Sequence, residues 1–176
     1  MQPVCIGKYG KPVDWWLVYY FPQTFRDQNY KVGYQYADSN SWDDDEFDIG
    51  WGVGDGNGGP INRTVEQINL HGLDTIMFND NRPRAEYNHS AAHAKFFMAV
   101  NDERTRGFAV AHSIPNYPYI FDDGSYNGTI YKGQLSNGQH AFCFTLDNAQ
   151  EIQDILKDVS FMQPNLGRND IQDLGD

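Results

Sequence analysis

Residues 94–112 read AKFFMAVNDERTRGFAVAH, and this stretch decides the fold. Apart from Lys95, residues 94–100 are apolar and aromatic, residues 101–106 are mostly polar and charged, and residues 107–111 are apolar again before His112. Two short apolar runs on either side of a polar turn predict a β-hairpin. Pro115 and Pro118 end its second strand. A strand places residues two apart on one face, so residues near the start of the first arm that differ by two would project together.

Working outward from this hairpin, similar runs recur. Residues 13–21 (VDWWLVYYF) are β-branched and aromatic and stop at Pro22, predicting a buried strand. Residues 34–37, 75–78 and 141–146 predict further strands. A helix is expected over 64–71 with Gly72 as its stop, and a second over 149–159, capped by Asp147. In the second helix Ile152, Ile155, Leu156 and Val159 fall on one face. Residues 38–60 are acidic and then Gly-rich, reading as a long surface loop, and 117–138 as an aromatic one. The polar segment 163–176 reads as a loose tail. The expected fold class is α/β, a central mixed β-sheet flanked by helices, in one domain spanning residues 1–176.

The chain has 176 residues, 40 % of them hydrophobic and 15 % aromatic, enough for one core of its own. Its formal net charge of -11 opposes passive binding of nucleic acid at neutral pH. That repulsion fades in acid, where carboxylates take up protons and histidines become charged. An acidic balance also serves simple solubility. No apolar run reaches the roughly 18 residues that cross a bilayer, so no membrane partner is expected. The opening MQPVCIGKYG is too polar for a signal peptide. The chain is then either cytosolic or a mature form with Met1 added, and the sequons at Asn62, Asn88 and Asn127 favour the second. Cys5 and Cys143 are either one long-range disulfide, worth on the order of 4 kcal/mol, or two buried thiols.

The histidines and cysteines lack the spacing of a zinc site, and no serine nucleophile elbow is present. The glycines of residues 50–59 lead to no Gly-Lys-Ser/Thr and form no phosphate cradle. His93 and Lys95, two apart at the start of a strand, are the candidate chemical pair. Imidazole can attack phosphorus or carry a proton, and an ammonium stabilises charge on phosphate oxygens. A His-x-Lys triplet alone equally describes a polar strand entrance.

The residues around the triplet resemble those of the deoxyribonuclease II family. Cys5 with Gly10-Lys11-Pro12-Val13-Asp14-Trp15-Trp16 is similar to the family's opening cysteine and Gly-x-Pro-Val-Asp-Trp. Phe78-Asn79-Asp80 with Pro83 is similar to its Tyr-Asn-Asp-x-Pro segment. His93-Ala94-Lys95 falls at its first catalytic His-x-Lys. Val110 to Pro118 (VAHSIPNYP) looks like its Val-His-Ser-Val-Pro-x-Phe-Pro signature, and Phe142-Cys143-Phe144 like the strand that holds the partner of the first cysteine. These five matches occur in order.

The resemblance implies one half of a phospholipase D-like architecture, a Cys5–Cys143 disulfide, and a secreted or lysosomal protein. It implies an acid endonuclease acting on DNA without a metal or other cofactor and leaving 3′-phosphate ends. His93 is then the nucleophile or acid and Lys95 the phosphate clamp. Asn79 and His112 are substrate-binding candidates, His112 reading also as a hydrogen-bonded packing residue. The chain departs from the family in carrying one His-x-Lys where members carry two. A homodimer could supply the second, or the sequence is a piece of a longer enzyme. The alternative is a catalytically inactive relative that binds DNA or a host protein. Three features favour it: the missing second half, the acidic loop from Asp43 to Glu46, and Asn101 standing where an acidic residue often follows the family's first site, with Asp102 adjacent as a substitute.

Overall fold

A computed structural model describes residues 2–22, 33–41, 48–51, 59–79, 94–120, 126–127, 130, 134, 136–162, 166–169 and 171. In chain order the elements are β1 (Cys5–Ile6), β2 (Pro12–Val13), β3 (Trp15–Tyr20), β4 (Gly33–Asp38), β5 (Asp48–Trp51), α1 (Pro60–His71), β6 (Asp74–Asn79), β7 (Lys95–Val100), β8 (Gly107–His112), β9 (Tyr119–Ile120), β10 (Tyr126–Asn127), β11 (Gln139–Leu146), α2 (Ala149–Met162) and β12 (Leu166–Asn169). Eight strands form one sheet in the order β12-β6-β7-β8-β11-β3-β4-β5. The pairs β1-β2 and β9-β10 stand apart from it.

Alternate residues of the strands feed two cores. On one face Val18, Trp16, Phe97, Val110 and Phe108 pack with Ile61, Val65 and Ile68 of α1. On the other, Ile76, Phe78, Met98, Val100 and Ala109 pack with Ile152, Leu156 and Val159 of α2. Each helix therefore buries one stripe against one sheet face, giving three layers. Truncating a fully buried ring such as Phe97 would cost about 3–5 kcal/mol.

Cys5 and Cys143 form a disulfide across a sequence separation of 138, with Cα atoms 6.0 Å apart. In the chain-entropy model so long a loop contributes on the order of 4–5 kcal/mol. The bond ties the β1-β2 pair to the centre of the sheet. Thr64 extends this anchorage. Its hydroxyl accepts the Trp16 indole N–H at 3.2 Å and the Ile6 amide at 3.0 Å, fixing α1 against β1 and β3.

Several elements differ from the sequence expectation. The sheet is antiparallel at every described pairing, where a mixed sheet is expected. The reason is visible at β7-β8 and β3-β4: sequential strands pair directly, and such pairs run antiparallel. Helix α1 begins a full turn before residue 64, because Pro60 occupies its first position without needing an amide partner. It ends as expected, at Gly72 with φ 60°. Asn148, not Asp147, caps α2, its Oδ1 accepting the Glu151 amide at 3.0 Å. Asp147 pairs instead with Arg106. The expected loop 38–60 contributes β5 on the edge of the sheet, and 117–138 contributes β9 and β10. The expected loose tail supplies β12, paired with β6, and Ile171 is buried. The acidic residues 43–46 lie outside the described residues. Among the described residues no helix is long and apolar enough to cross a membrane.

Candidate functional site

Strand register builds the site. Asn79 pairs with Lys95 across β6 and β7. Phe96 pairs with Ala111 across β7 and β8, which sets Lys95 beside His112. His112 in turn pairs with Ala141 of β11. Asn79, Lys95 and His112 thus form one polar row on the α1 face, at the end of the sheet where β7 begins. Lys95 is half-buried, while Asn79 and His112 are 6 % and 7 % exposed.

His112 is held by its surroundings. Its Nδ1 accepts the Ile114 amide at 3.2 Å, which puts the ring proton on Nε2. The imidazole meets Tyr117 edge-on, with centroids 5.5 Å apart, and Phe97 at 5.8 Å. Burial first, and then the ammonium of Lys95, push its pKa down to about 3. The ring is therefore neutral at pH 5, with its lone pair already occupied. It can serve neither as nucleophile nor as general base. Its Nε2 is buried and has no hydrogen-bond partner among the described residues.

Asn79 fixes the turn that follows β8. Its Nδ2 donates to the Ile114 carbonyl at 3.2 Å and to the Tyr117 carbonyl at 2.8 Å. Gln134 holds the same turn from another side, donating to the Pro115 and Asn116 carbonyls at 2.6 and 3.0 Å. Asn116 sits at φ 53°, a left-handed conformation that asparagine tolerates, and the Tyr117–Pro118 peptide is cis. The turn from His112 to Pro118 is thus rigidly tied to the strand end that carries Lys95.

The structure brings together three of the four site residues expected from sequence: Asn79, Lys95 and His112. His93 lies outside the described residues. Asn79 and His112 are buried; Asn79 bonds the turn, and His112, read from sequence as either a substrate-binding or a packing residue, stands beside Lys95. Sequence reading missed Tyr117 and Phe97 as the aromatic walls around His112. The dense Pro, Asn and Tyr of residues 114–118 was the available signal. Asn101 closes the β7-β8 turn at the opposite end of β7 from Lys95. Of the three sequons, Asn62 is buried in α1 and its Oδ1 has no hydrogen-bond partner among the described residues. Asn127 is in β10, and Asn88 lies outside the described residues.

The family model for deoxyribonuclease II matches residues 4–174. The chain is 31 % identical to deoxyribonuclease-2-alpha of Rattus norvegicus over 159 residues, covering 83 % of this chain and 42 % of that protein. It is 30 % identical to deoxyribonuclease-2-beta of Rattus norvegicus, covering 92 % and 45 %. It is 29 % identical to plancitoxin-1 of Acanthaster planci, covering 87 % and 44 %. The chain spans less than half the length of these curated relatives. A match running almost from end to end, with the disulfide in place, shows that the chain belongs to the deoxyribonuclease II family.

Proposed function

We propose that this chain is the single deoxyribonuclease II-like domain, residues 1–176, of an acid, metal-independent DNA endonuclease. It forms one half of a phospholipase D-like site. The observation that carries this reading is the half-buried Lys95 at the mouth of β7, flanked in register by Asn79 and a neutral His112. His93, two residues upstream, is the catalytic imidazole. His112 cannot take that role because its lone pair is occupied.

His93 attacks phosphorus, the bond to the departing sugar oxygen breaks, and a second imidazole protonates that oxygen. Water then releases a 3′-phosphate. Lys95 balances charge on the phosphate oxygens throughout. The second His-x-Lys comes from a partner subunit or from further chain, since the relatives are more than twice as long over their full span. The neutral state of His112 holds across the acid range, so the ammonium keeps an uncharged neighbour there. A secreted or lysosomal location fits an acid optimum and the disulfide. Burial counts against sugar on Asn62.

Nicking of supercoiled plasmid at about pH 5 in chelator, by the wild-type chain and by His93→Ala, tests the reading. Nicking should fall about 1,000-fold or more in the variant, and the 3′ ends left by the wild-type chain should accept label only after phosphatase treatment. Undiminished nicking by His93→Ala removes that residue from the mechanism. Sedimentation adds the assembly: a strictly monomeric chain without cleavage favours the reading as a non-catalytic relative that binds DNA or a host protein, for which possession of one His-x-Lys is the supporting observation.

A further inference from the structure

Asparagine is followed by glycine three times, at Asn57-Gly58, Asn127-Gly128 and Asn137-Gly138. The three pairs differ in their surroundings. Asn57 lies outside the described residues, and Asn127 is held in β10 opposite Tyr119. Asn137 is exposed and sits in the bend that leads into β11. Among the described residues nothing hydrogen-bonds Asn137 or Gly138. Other asparagines are engaged: Asn101 Oδ1 accepts the Thr105 and Arg106 amides, and Asn148 Oδ1 accepts the Glu151 amide. Asp102 and Ala149 follow them, so each precedes a residue that carries a β-carbon.

Glycine at position 138 is a requirement of the packing. A β-carbon there would stand 2.7 Å from Cζ and 3.1 Å from Cε2 of Tyr19, closer than the roughly 3.5–4.0 Å of packed carbon atoms. The Tyr19 ring is itself held edge-on to Phe21, with centroids 5.9 Å apart. Directly after Gly138 the chain is fixed. Gln139 pairs with Tyr20, its Oε1 accepts the Ser113 hydroxyl at 2.6 Å, and the His140 amide donates to Ser113 Oγ at 3.0 Å. The contact that excludes a side chain at 138 therefore places the least hindered residue immediately after an exposed asparagine. Glycine has wide backbone freedom and no β-carbon to obstruct reaction at its own amide nitrogen.

We infer that Asn137-Gly138 is a site of spontaneous deamidation at the entry end of β11. Base removes the proton of the Gly138 amide, and that nitrogen attacks the side-chain carbonyl carbon of Asn137. A new carbon–nitrogen bond forms, the bond to the side-chain nitrogen breaks, and ammonia leaves with a proton taken from water. Water then opens the resulting five-membered succinimide at either carbonyl, giving aspartate or isoaspartate. Both products add a negative charge to the chain, and isoaspartate lengthens the backbone by one carbon just before Gln139. Ala141 of β11 pairs with His112, and β11 stands two strand places from β7, about 10 Å at roughly 4.8 Å each. The new carboxylate thus arises at the end of the sheet that carries Lys95. The reaction consumes only water and does not depend on the nuclease reading.

The full chain is incubated in mild alkali and digested, the asparagine-bearing peptides are weighed, and isoaspartate is counted by enzymatic methylation. Residue 137 should gain about 1 Da, at a rate about 10-fold above that of Asn101 or Asn148 because only Asn137 precedes an unhindered glycine. In the native chain it should also outpace Asn127, and in urea the two should convert alike. Asn137→Gln, whose longer side chain would have to close a six-membered ring, should abolish the gain. An unmodified residue 137, or conversion no faster than at Asn101 and Asn148, overturns the site. A gain that persists in Asn137→Gln belongs to another residue of the same peptide and overturns it equally.

Discussion

The two ends of the β7-β8 hairpin are built from the same pair of strands and treat their polar groups in opposite ways. At the turn end, Asn101 Oδ1 accepts the Thr105 and Arg106 amides at 2.9 and 3.0 Å, and its Nδ2 donates to Glu103 and Thr105. Its backbone amide and carbonyl are bonded to Arg106 and Arg104. This end is a closed hydrogen-bonded unit, with Asp102 and Glu103 in solvent and Arg106 paired with Asp147. At the other end a half-buried ammonium stands beside a buried imidazole whose Nε2 has no hydrogen-bond partner among the described residues. A buried donor without a partner costs about 1–3 kcal/mol. The contrast is one of environment: the turn end is a self-contained unit at the surface, while the strand-entry end gathers Asn79, Lys95 and His112 into buried and half-buried positions.

The strongest way to break this comparison is to remove the ammonium. Lys95→Ala should reduce plasmid nicking at pH 5 about 100- to 1,000-fold, the scale of losing a preorganised charge on a transition state. Thermal unfolding should change little, because the side chain is only half-buried. Nicking that survives Lys95→Ala would make the two ends functionally equivalent and the contrast merely structural.

Asn79→Ala acts on the frame of the same end. It deletes both hydrogen bonds to the Ile114 and Tyr117 carbonyls, buried groups that water does not readily reach. A stability loss of about 2–3 kcal/mol is expected, read as a lower urea midpoint with unchanged m-value. Nicking should fall with it, because the turn that holds His112 beside Lys95 loosens. A variant as stable as wild type would show that Gln134 alone fixes the turn.

How much of this contrast the sequence disclosed depended on how local the signal was. The β7-β8 hairpin was legible because two apolar runs enclose a polar turn and pair with immediate neighbours, needing no distant information. Lys95 was legible through its triplet with His93. β12 was not, because Leu166–Asn169 contains one large apolar residue and owes its strand state to the open edge of β6. β5 escaped for the same reason, a short edge strand set in an acidic and Gly-rich segment. His112 had also read as a hydrogen-bonded packing residue, in keeping with its buried ring and its bond to the Ile114 amide, but the burial of Asn79 was hidden. It arises where the turn residues 114–118 fold back over β7, a contact that only the packed structure brings about.

The imidazole also makes the open end sensitive to acid. His112 has a pKa of about 3 in the fold, below its ordinary 6.5, with Lys95 and His140 as the charged or titrating groups acting on it. As pH falls below about 6.5 the unfolded chain binds a proton that the folded chain refuses. The stabilisation is complete above that value and is lost progressively toward pH 3. By pH 5 the loss is about 2 kcal/mol, at about 1.4 kcal/mol per pH unit. Urea unfolding at pH 7 and pH 5 should show it, and His112→Gln should remove one proton's worth of slope. An unchanged slope in the variant would mean that the ring is already charged in the fold.

The smallest expected effect lies at the closed end and sharpens the comparison most. Asn101→Ala removes four side-chain hydrogen bonds, but all of them are in an exposed turn where water replaces much of what is lost. A cost of about 1 kcal/mol is expected, together with frayed amide exchange confined to residues 101–106 and undiminished nicking. The apolar rungs of β7 and β8, from Phe97 opposite Val110 to Val100 opposite Gly107, stand between the two ends and should insulate one from the other. Loss of nicking in Asn101→Ala without loss of stability would mean that the turn communicates with Lys95 along the strands, and the two ends would have to be treated as one unit.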